Sequence, residues 1–395
     1  MNRRKGSTAI LGVLVLVLAT VLSACVPAVA PTPTPTKPPA PAAAPTQAAP
    51  KPTEAAAAAP TQAAPKPTAA APTQPPATPK PVTIRFASPG ALSDAGVYIA
   101  IEKGYFKELA VDVKVETVQS AASAIAPLAA GDLEIAGGVL STALLNAIDR
   151  GVAMKVVGTK GGAIKGFDAS QFIIRKDLID SGQVKEVKDL KGKKMALANV
   201  QSGAEAEASF FLKQGGLTIK DVELVVMGYP DMLPAFANKA IDVSIQNEPL
   251  LTTSIEQKLA VKWLPGALST AYGGEYQVAT LIFSEVFAKN VDAARRFMVG
   301  YVRGLRDYND AFVKGKDKDG IIAILIKYTA QKDPAVYAKM EMSYLNPDGK
   351  MHLASMKIDF DYFKQMGYYT GKLEFQSIVD TQFIDYALQQ LGPYK

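Results

Sequence analysis

The chain has 395 residues and a formal net charge of +6, and this length is sufficient for two core-forming lobes. The excess charge lies in the first 80 residues, because residues 1–25 and residues 26–80 each carry a net charge of +3. Residues 81–395 therefore have a net charge of zero. This balance gives no support for nucleic-acid binding. The single cysteine excludes an internal disulfide and a multi-cysteine metal site.

The N-terminus has the pattern of a bacterial export signal. Basic residues at 3–5 precede an apolar stretch at 9–21, which is shorter than a typical membrane-spanning helix. The stretch ends in LSAC at 22–25, which resembles a lipobox and predicts a signal peptide over 1–24 and a lipid-modified Cys25. Ordinary secretory cleavage at the AVA sequence of 28–30 and an uncleaved anchor are the alternatives.

Residues 25–80 are predicted to form a stalk that starts at the lipidated cysteine. Residues 26–80 contain 17 of the 27 prolines, together with Ala, Thr and Gln, and APTQAAPKPT occurs at both 44–53 and 59–68. Without apolar periodicity such a segment cannot form a core, and proline favours an extended polyproline conformation. A disordered linker is the simpler interpretation.

From residue 82 onward the pattern alternates between strands and helices. Strands are predicted at 82–87, 111–118, 133–136, 154–159, 195–198, 222–227, 243–246 and 276–283. Helices are predicted at 94–103, 121–130, 141–150, 204–214, 232–238 and 249–257, and the chain is mostly helical after 283. This rhythm is typical of an α/β fold with mainly parallel sheets. Two such series predict two lobes, lobe I from 82–172 and 275–395 and lobe II from 173–272.

Four sequence blocks carry a family resemblance. They are IRFASPGALSDAGVYIAIEKGYFKEL from 84, AIAPLAAGDLEIAGGVLSTALLNAIDRGVAMKVVG from 124, VKDLKGKKMALANVQSGAEAEASFFLKQGGL from 187 and AFANKAIDVSIQNEPLLTTSIEQKLA from 235. As a set they resemble the nitrate/sulfonate/taurine-type binding proteins, whose wider family includes thiamine-pyrimidine binders. The resemblance covers roughly 83–300. It implies a two-lobed periplasmic-binding-protein (type II) fold, with the ligand in a cleft between lobes that close by a hinge.

The strand ends predict where a ligand binds. In open α/β sheets ligands lie beyond the carboxyl ends of the strands, where four loops are predicted at 88–97, 137–142, 199–204 and 246–249. Free N–H groups at helix N-termini can bind ligand oxygens there, although plain helix capping explains each Ser or Thr equally well. The candidate ligand-binding residues are Ser93, Asp94, Tyr98, Ser141, Thr142, Asn199, Gln201, Ser202, Gly203, Asn247, Glu248 and Tyr276.

The side chains of these loops favour a ring-containing nutrient. The four loops contain no Lys or Arg. Asp94 and Glu248 can accept hydrogen bonds from a ligand, and Tyr98 or Tyr276 can stack on a planar ring. Within the resembled family this set suits riboflavin best, with a thiamine-pyrimidine precursor next. An alkanesulfonate, taurine or nitrate is the alternative.

The resemblance also implies the partners and the location. An ABC permease and its ATPase would receive the small molecule from a monomeric protein anchored on the extracytoplasmic face of the cell membrane. No nucleic acid, metal or cofactor is expected. An adhesive surface protein and a pyrimidine-synthesis-like enzyme are the alternatives, and the enzyme would need a reactive histidine and a cysteine-rich segment. The chain has one histidine, His352, predicted at the surface, and no cysteine besides Cys25.

Overall fold

The computed structural model describes residues 79–118 and 122–395. The predicted signal peptide, Cys25 and nearly all of the stalk lie outside these residues. In the described part, ten strands occur in chain order: β1 (Val82–Ser88), β2 (Val111–Thr117), β3 (Ile135–Gly138), β4 (Met154–Ile164), β5 (Ser170–Arg175), β6 (Lys194–Leu197), β7 (Glu223–Val226), β8 (Val243–Asn247), β9 (Ala260–Lys262) and β10 (Glu275–Ser284).

The described α-helices fall between these strands and after the last one. They are α1 (Ala95–Glu102), α2 (Tyr105–Glu108), α3 (Ile125–Ala130), α4 (Thr142–Asp149), α5 (Lys176–Asp180), α6 (Gly203–Lys213), α7 (Tyr229–Ala237), α8 (Leu250–Glu256), α9 (Ala267–Ala271), α10 (Glu285–Lys289), α11 (Val291–Phe312), α12 (Lys318–Tyr328), α13 (Pro334–Tyr337), α14 (Leu353–Gln365) and α15 (Gln382–Leu391). No helix in the described residues is both long enough and apolar enough to cross a membrane.

The strands form two five-stranded sheets. The first has the order β2-β1-β3-β10-β4 and the second has the order β7-β6-β8-β5-β9. We call the part built on the first sheet lobe one and the part built on the second sheet lobe two. The predicted two-lobed α/β fold is confirmed.

Each sheet contains one strand that runs against its neighbours. Strand β10 pairs antiparallel with β3 and β4, and β5 pairs antiparallel with β8 and β9. Both strands follow a crossover between the lobes, at 165–169 and at 263–274. A chain that arrives from the facing lobe enters a sheet at the edge where the parallel strands end, so it must run in the opposite direction. Residues 170–172, predicted in lobe one, therefore belong to the second sheet, where they pair with 245–247 of β8.

Apolar layers cover both faces of each sheet. In β1, Ile84 and Phe86 are fully buried against α11 and α15, as their alternation with Thr83 and Arg85 predicts. Helix α14 packs on the opposite face of the first sheet. The second sheet lies between two smaller clusters, with Phe172 on one face and Ile173 on the other. These layers hold the carboxyl ends of both sets of parallel strands at one cleft.

Candidate functional site

A cavity of about 340 Å³ lies where the loops of the two lobes meet, within the size range of small-molecule sites. Five predicted residues contribute to its lining: Ser141 and Thr142 from lobe one, and Asn199, Gln201 and Ser202 from lobe two. The remaining wall is largely aliphatic, and all the lining residues are uncharged. The cavity therefore offers hydroxyl, amide and backbone groups on an apolar surface.

Local sequence explains how the lobe-one loop forms. Strand β3 ends in Gly137 and Gly138, and the methylenes of Lys160 lie 2.3 Å from where a Cβ atom on Gly137 would be. Only glycine fits beside that lysine. Ser141 then caps α4, because its hydroxyl oxygen accepts a hydrogen bond from the Leu144 N–H at 3.4 Å. Helix α4 consequently begins at the cavity wall.

The two loops are hydrogen-bonded to each other across the cleft. The Thr142 N–H donates to the Gln201 carbonyl at 3.2 Å, and the Gly203 N–H donates to the Leu140 carbonyl at 3.0 Å. The Thr142 hydroxyl also donates to the Gln201 carbonyl, at 3.2 Å. Gln201 has φ of 53°, a left-handed conformation that is uncommon for a non-glycine residue. The structure is therefore a closed conformation, with the lobes joined at the rim of the cavity.

Glu205 of α6 strengthens this junction. Its carboxylate accepts hydrogen bonds from the Gln201 N–H at 2.8 Å, from the Tyr368 hydroxyl at 2.6 Å and from the Tyr362 hydroxyl at 3.2 Å. Both tyrosines belong to lobe one, whereas Glu205 and Gln201 belong to lobe two. One buried carboxylate thus fixes the strained loop and joins the lobes.

Three predicted residues from the first loop do not reach the cavity. The carboxylate of Asp94 is fully buried and pairs with Lys160 Nζ at 2.8 Å. Ser93 accepts a hydrogen bond from the same lysine at 3.1 Å. Tyr98 is fully buried and stacks on Tyr328 with 4.4 Å between ring centroids. The Asp94 carboxylate is already paired with a protein group, and both faces of the Tyr98 ring are covered. Neither side chain therefore meets a ligand in this conformation.

In the last predicted loop, 246–249, the polar side chains also bind other groups of the protein. Glu248 accepts hydrogen bonds from the Thr252 N–H at 3.0 Å, from the Thr252 hydroxyl at 2.8 Å and from the Glu341 N–H at 3.3 Å. Burial raises the pKa of Glu248 above its usual range. The side chain of Asn247 interacts with the Tyr229 hydroxyl. Glu248 therefore fixes the start of α8 in the closed form.

Tyr276 lies in a buried polar cluster beside the cavity. Its hydroxyl donates to Asp359 Oδ2 at 3.1 Å, and the Tyr272 hydroxyl donates to Asp359 Oδ1 at 2.6 Å. The carboxyl of Glu207 also interacts with Tyr276. Burial raises the pKa of Asp359 to about 7, and it raises that of Glu207 well above its usual range. Because Tyr276 is fully buried, stacking on a ring is not available to it here.

Sequence reasoning missed Glu207 and Asp359 as cleft residues. Glu207 and Glu205 are two positions apart and point to different partners, as expected for residues on different helix faces. Asp359 lies in α14, more than 80 residues after Tyr276, and nothing in the local pattern marks it. His352, predicted at the surface, is half-buried at the start of α14.

The lysines near the cleft are already paired. Lys160 pairs with Asp94, and Lys262 pairs with Glu341 at 3.0 Å. Within the described residues, no positive charge lines the cavity itself. The described residues that line the cavity therefore include no cation that would attract an anionic ligand.

Comparison with known proteins identifies the family. Residues 93–310 match the family model described as NMT1/THI5 like. The chain belongs to the NMT1/THI5-like family. A search of the curated proteins finds no match. The family resemblance seen in the sequence is thus confirmed over more than half of the chain.

Solved structures share the fold of this NMT1/THI5-like chain. The nitrate-binding protein NrtA from Synechocystis PCC 6803 is 16% identical, with a TM-score of 0.62 over 80% of this chain and 90% of that one. The alkanesulfonate-binding protein SsuA from Xanthomonas axonopodis pv. citri is 15% identical, with a TM-score of 0.58 over 77% and 99%. The desulfurization enzyme DSZB is 13% identical, with a TM-score of 0.52 over 78% and 99%. These similarities establish the periplasmic-binding-protein fold, which both binding proteins and an enzyme use.

Proposed function

We propose that this chain is an extracytoplasmic solute-binding protein that delivers a small molecule to the permease and ATPase of an ABC importer. The observation that carries the proposal is the 340 Å³ cavity between the lobes, which residues from both lobes line. A ligand that contacts both lobes stabilises the closed form and is released when the lobes separate. Membership of the NMT1/THI5-like family and the fold shared with nitrate- and sulfonate-binding proteins support this function.

The ligand we propose is a ring-containing nutrient, with riboflavin or a thiamine-pyrimidine precursor as the leading candidates. Aliphatic side chains, among them Ile125, Val139 and Val200, can cover the faces of a planar ring. Asn199 and Gln201 can bind its polar edge through their amides. The tyrosine stacking expected from the sequence has no place in this proposal, because Tyr98 and Tyr276 are buried.

A sulfonate or nitrate ligand is the alternative, and the charges of the cleft count against it. The nearby lysines are paired, and additional carboxyl groups lie beside the cavity. An anion would have to rely on neutral hydroxyl, amide and backbone N–H donors, without a basic side chain in the cavity lining. An enzyme of this fold is less well supported, because the cavity lining contains no nucleophile–base pair.

For the anchoring of the protein, we propose that Cys25 carries the lipid and that the proline-rich segment is the stalk. The LSAC sequence supports this assignment. We further propose that the protein acts as a monomer at the outer face of the cell membrane, since one chain provides both walls of the cavity.

The direct test is a thermal-shift screen of the full chain against riboflavin, a thiamine-pyrimidine precursor, taurine, an alkanesulfonate and nitrate, followed by calorimetry on each hit. We expect one ring-containing nutrient to stabilise the protein, because a ligand bound only by the folded state raises the melting temperature by mass action. Stabilisation by taurine, a sulfonate or nitrate alone would overturn the ligand class. Turnover of any of these compounds would overturn the binding-protein assignment.

A further inference from the structure

Helix α6 of lobe two and helix α14 of lobe one pack against each other. Ala206 of α6 is fully buried in the apolar cluster beneath α14, and Phe210 packs on the same cluster. In return, Met366, the residue after α14, packs on an apolar cluster of lobe two. The ring centroids of Phe210 and Tyr362 are 5.9 Å apart. None of these residues belongs to the crossovers at 165–169 and 263–274, so the lobes touch here independently of the chain connections.

Hydrogen bonds cross the same contact. Glu205 Oε1 accepts from the Tyr368 hydroxyl at 2.6 Å and from the Tyr362 hydroxyl at 3.2 Å. The Tyr362 hydroxyl also lies 2.6 Å from Ser209 Oγ, and a bond donated by Ser209 leaves the tyrosine proton for Glu205. Glu205 and Tyr362 are only 2% and 7% exposed. Because hydrogen bonds to a carboxylate are stronger than those between neutral groups, these bonds favour the closed arrangement of the lobes.

The two oxygens of the Glu205 carboxylate serve different lobes. Oε1 binds the two tyrosines of lobe one, whereas Oε2 accepts from the Gln201 N–H of lobe two at 2.8 Å. Gln201 lines the cavity, and its carbonyl accepts from the Thr142 N–H of lobe one at 3.2 Å. A single side chain therefore connects the α6–α14 contact to the loop that forms part of the cavity wall.

The α6–α14 contact is made by protein groups that lie outside the cavity lining. The lining includes Gln201 but none of Glu205, Ser209, Tyr362 and Tyr368. A molecule in the cavity would thus meet the Gln201 loop and leave the tyrosine hydroxyls with their present partners. Bonds that exist only in the closed form bias the equilibrium between open and closed forms whether or not a ligand is present.

We propose that the α6–α14 contact is a latch that draws the lobes together without a ligand, and that Glu205 is a positioning residue that couples the latch to the Gln201 loop. The proposal rests on the solute-binding function proposed above, since it assigns a role in hinge closure. When the lobes separate, Glu205 loses both tyrosine donors and is no longer held against the Gln201 N–H. Closure therefore orders the cavity wall, and the fraction of closed molecules scales the affinity for every ligand.

The test measures the separation of the lobes in the free protein, by double electron–electron resonance between two spin labels. The crossovers join β4 to β5 and β9 to β10, at or next to one edge of each sheet, and β2 and β7 form the opposite edges. Labels on the exposed positions Thr117 of β2 and Val226 of β7 should therefore move far apart when the hinge opens. The parent protein is the full chain with Thr117→Cys, Val226→Cys and Cys25→Ser, because Cys25 is the only native cysteine.

We expect the free parent protein to show both a closed and an open distance. Tyr362→Phe and Tyr368→Phe each remove one donor and keep the ring, so each should lower the ratio of closed to open molecules roughly tenfold. The double variant should be almost entirely open. Tyr105→Phe is the matched control, because the Tyr105 hydroxyl donates to Asp307 Oδ2 at 2.5 Å within lobe one, and its distance distribution should equal that of the parent. Circular dichroism checks the fold of each variant.

Hydrogen exchange at single-amide resolution tests the coupling. The Thr142 and Gly203 amides bond across the cleft, so opening alone should speed their exchange in the double tyrosine variant. The Gln201 amide bonds to Glu205 within lobe two, so it should exchange faster in that variant only if the tyrosines hold Glu205 in place. We expect an increase of about twofold or more. Glu205→Ala gives the rate of a fully released Gln201 amide.

The possible failures are distinguishable. A free parent protein that shows only the open distance would overturn the latch, and so would a double tyrosine variant with the distances of the parent. Opening of the double variant without faster exchange of the Gln201 amide would overturn the positioning role of Glu205. These measurements use no ligand, so they decide the latch whatever the ligand screen finds. A screen in which no small molecule binds would overturn the solute-binding function alone.

Discussion

Gly203→Ala tests whether the closed interface described here is the form that binds ligand. Gly203 is the first residue of α6 and lies in the contact between the two lobes, where its N–H donates to the Leu140 carbonyl. A methyl group there would lie 2.8 Å from the Tyr276 hydroxyl, closer than a Cβ atom and an oxygen normally come. The backbone of Gly203 is outside the left-handed region, so alanine can adopt it without strain.

The substitution therefore acts in opposite directions on the two forms. In an open form, alanine in place of glycine favours the helix by at most about 0.5–1 kcal/mol. In the closed form, overpacking costs roughly 1–3 kcal/mol. The two effects add up to roughly 1–4 kcal/mol against closure, and about 1.4 kcal/mol corresponds to a tenfold change in affinity, so ligand should bind roughly 5- to 700-fold more weakly. The melting temperature of the free protein should change little.

Calorimetry with the ligand found by screening measures the affinity, and small-angle scattering of the free protein measures the opening. Gly228→Ala is the control, because Gly228 is the residue before another lobe-two helix, α7, and its added methyl group would make only ordinary contacts within lobe two, the nearest 3.4 Å from Asp231 Oδ2. Wild-type affinity in Gly203→Ala would refute the reasoning, since it would mean that the ligand-bound form does not bring Gly203 against Tyr276.

Three further predictions concern pH, anchoring and lobe movement. Burial raises the pKa of Asp359 to about 7, from an ordinary aspartate value of 3.8. Between these two pH values the folded state therefore binds a proton that the unfolded state lacks, and the free energy of unfolding should fall as pH rises from 5 to 8. Urea titrations should show a shallower fall in Asp359→Asn than in the wild type. An equal slope in the two proteins would contradict the assignment. Cys25→Ser should release the protein from membranes, and quantitative partitioning of the variant with the membrane fraction would exclude lipid anchoring. Saturating ligand should reduce the radius of gyration, and an unchanged value would count against hinge closure.

The part of the site that could be predicted from the sequence is the part that depends on local pattern. The loops at 137–142 and 199–204 were expected because a short strand, small residues and a helix follow one another there. Ser141, Thr142, Gln201 and Ser202 lie together in the structure because parallel strands bring their carboxyl ends to one edge. That rule requires only the order of the elements along the chain.

The rest depends on contacts between distant residues. Asp94 looked free in its loop, but Lys160, from a strand 66 residues later, neutralises it. Strand β5 was missed because Phe172 and Ile173 enter apolar cores on opposite faces of the sheet, so the strand lacks the alternation of polar and apolar residues that marks a half-exposed strand. Asp359 joins the cleft only because the C-terminal helices pack back onto lobe one.

The charges of the interface suggest why closure would depend on the ligand. Three hydrogen bonds join 140–142 to 201–203 and favour the closed form. Burial of Glu207 and Asp359 beside this interface is unfavourable for the charged form of each carboxyl group and raises its pKa. A ligand in the cavity that touches 141–142 and 199–202 at the same time adds contacts that only the closed form offers. Such a ligand would bind the closed form preferentially, and this difference in affinity is what shifts the population of a two-state protein.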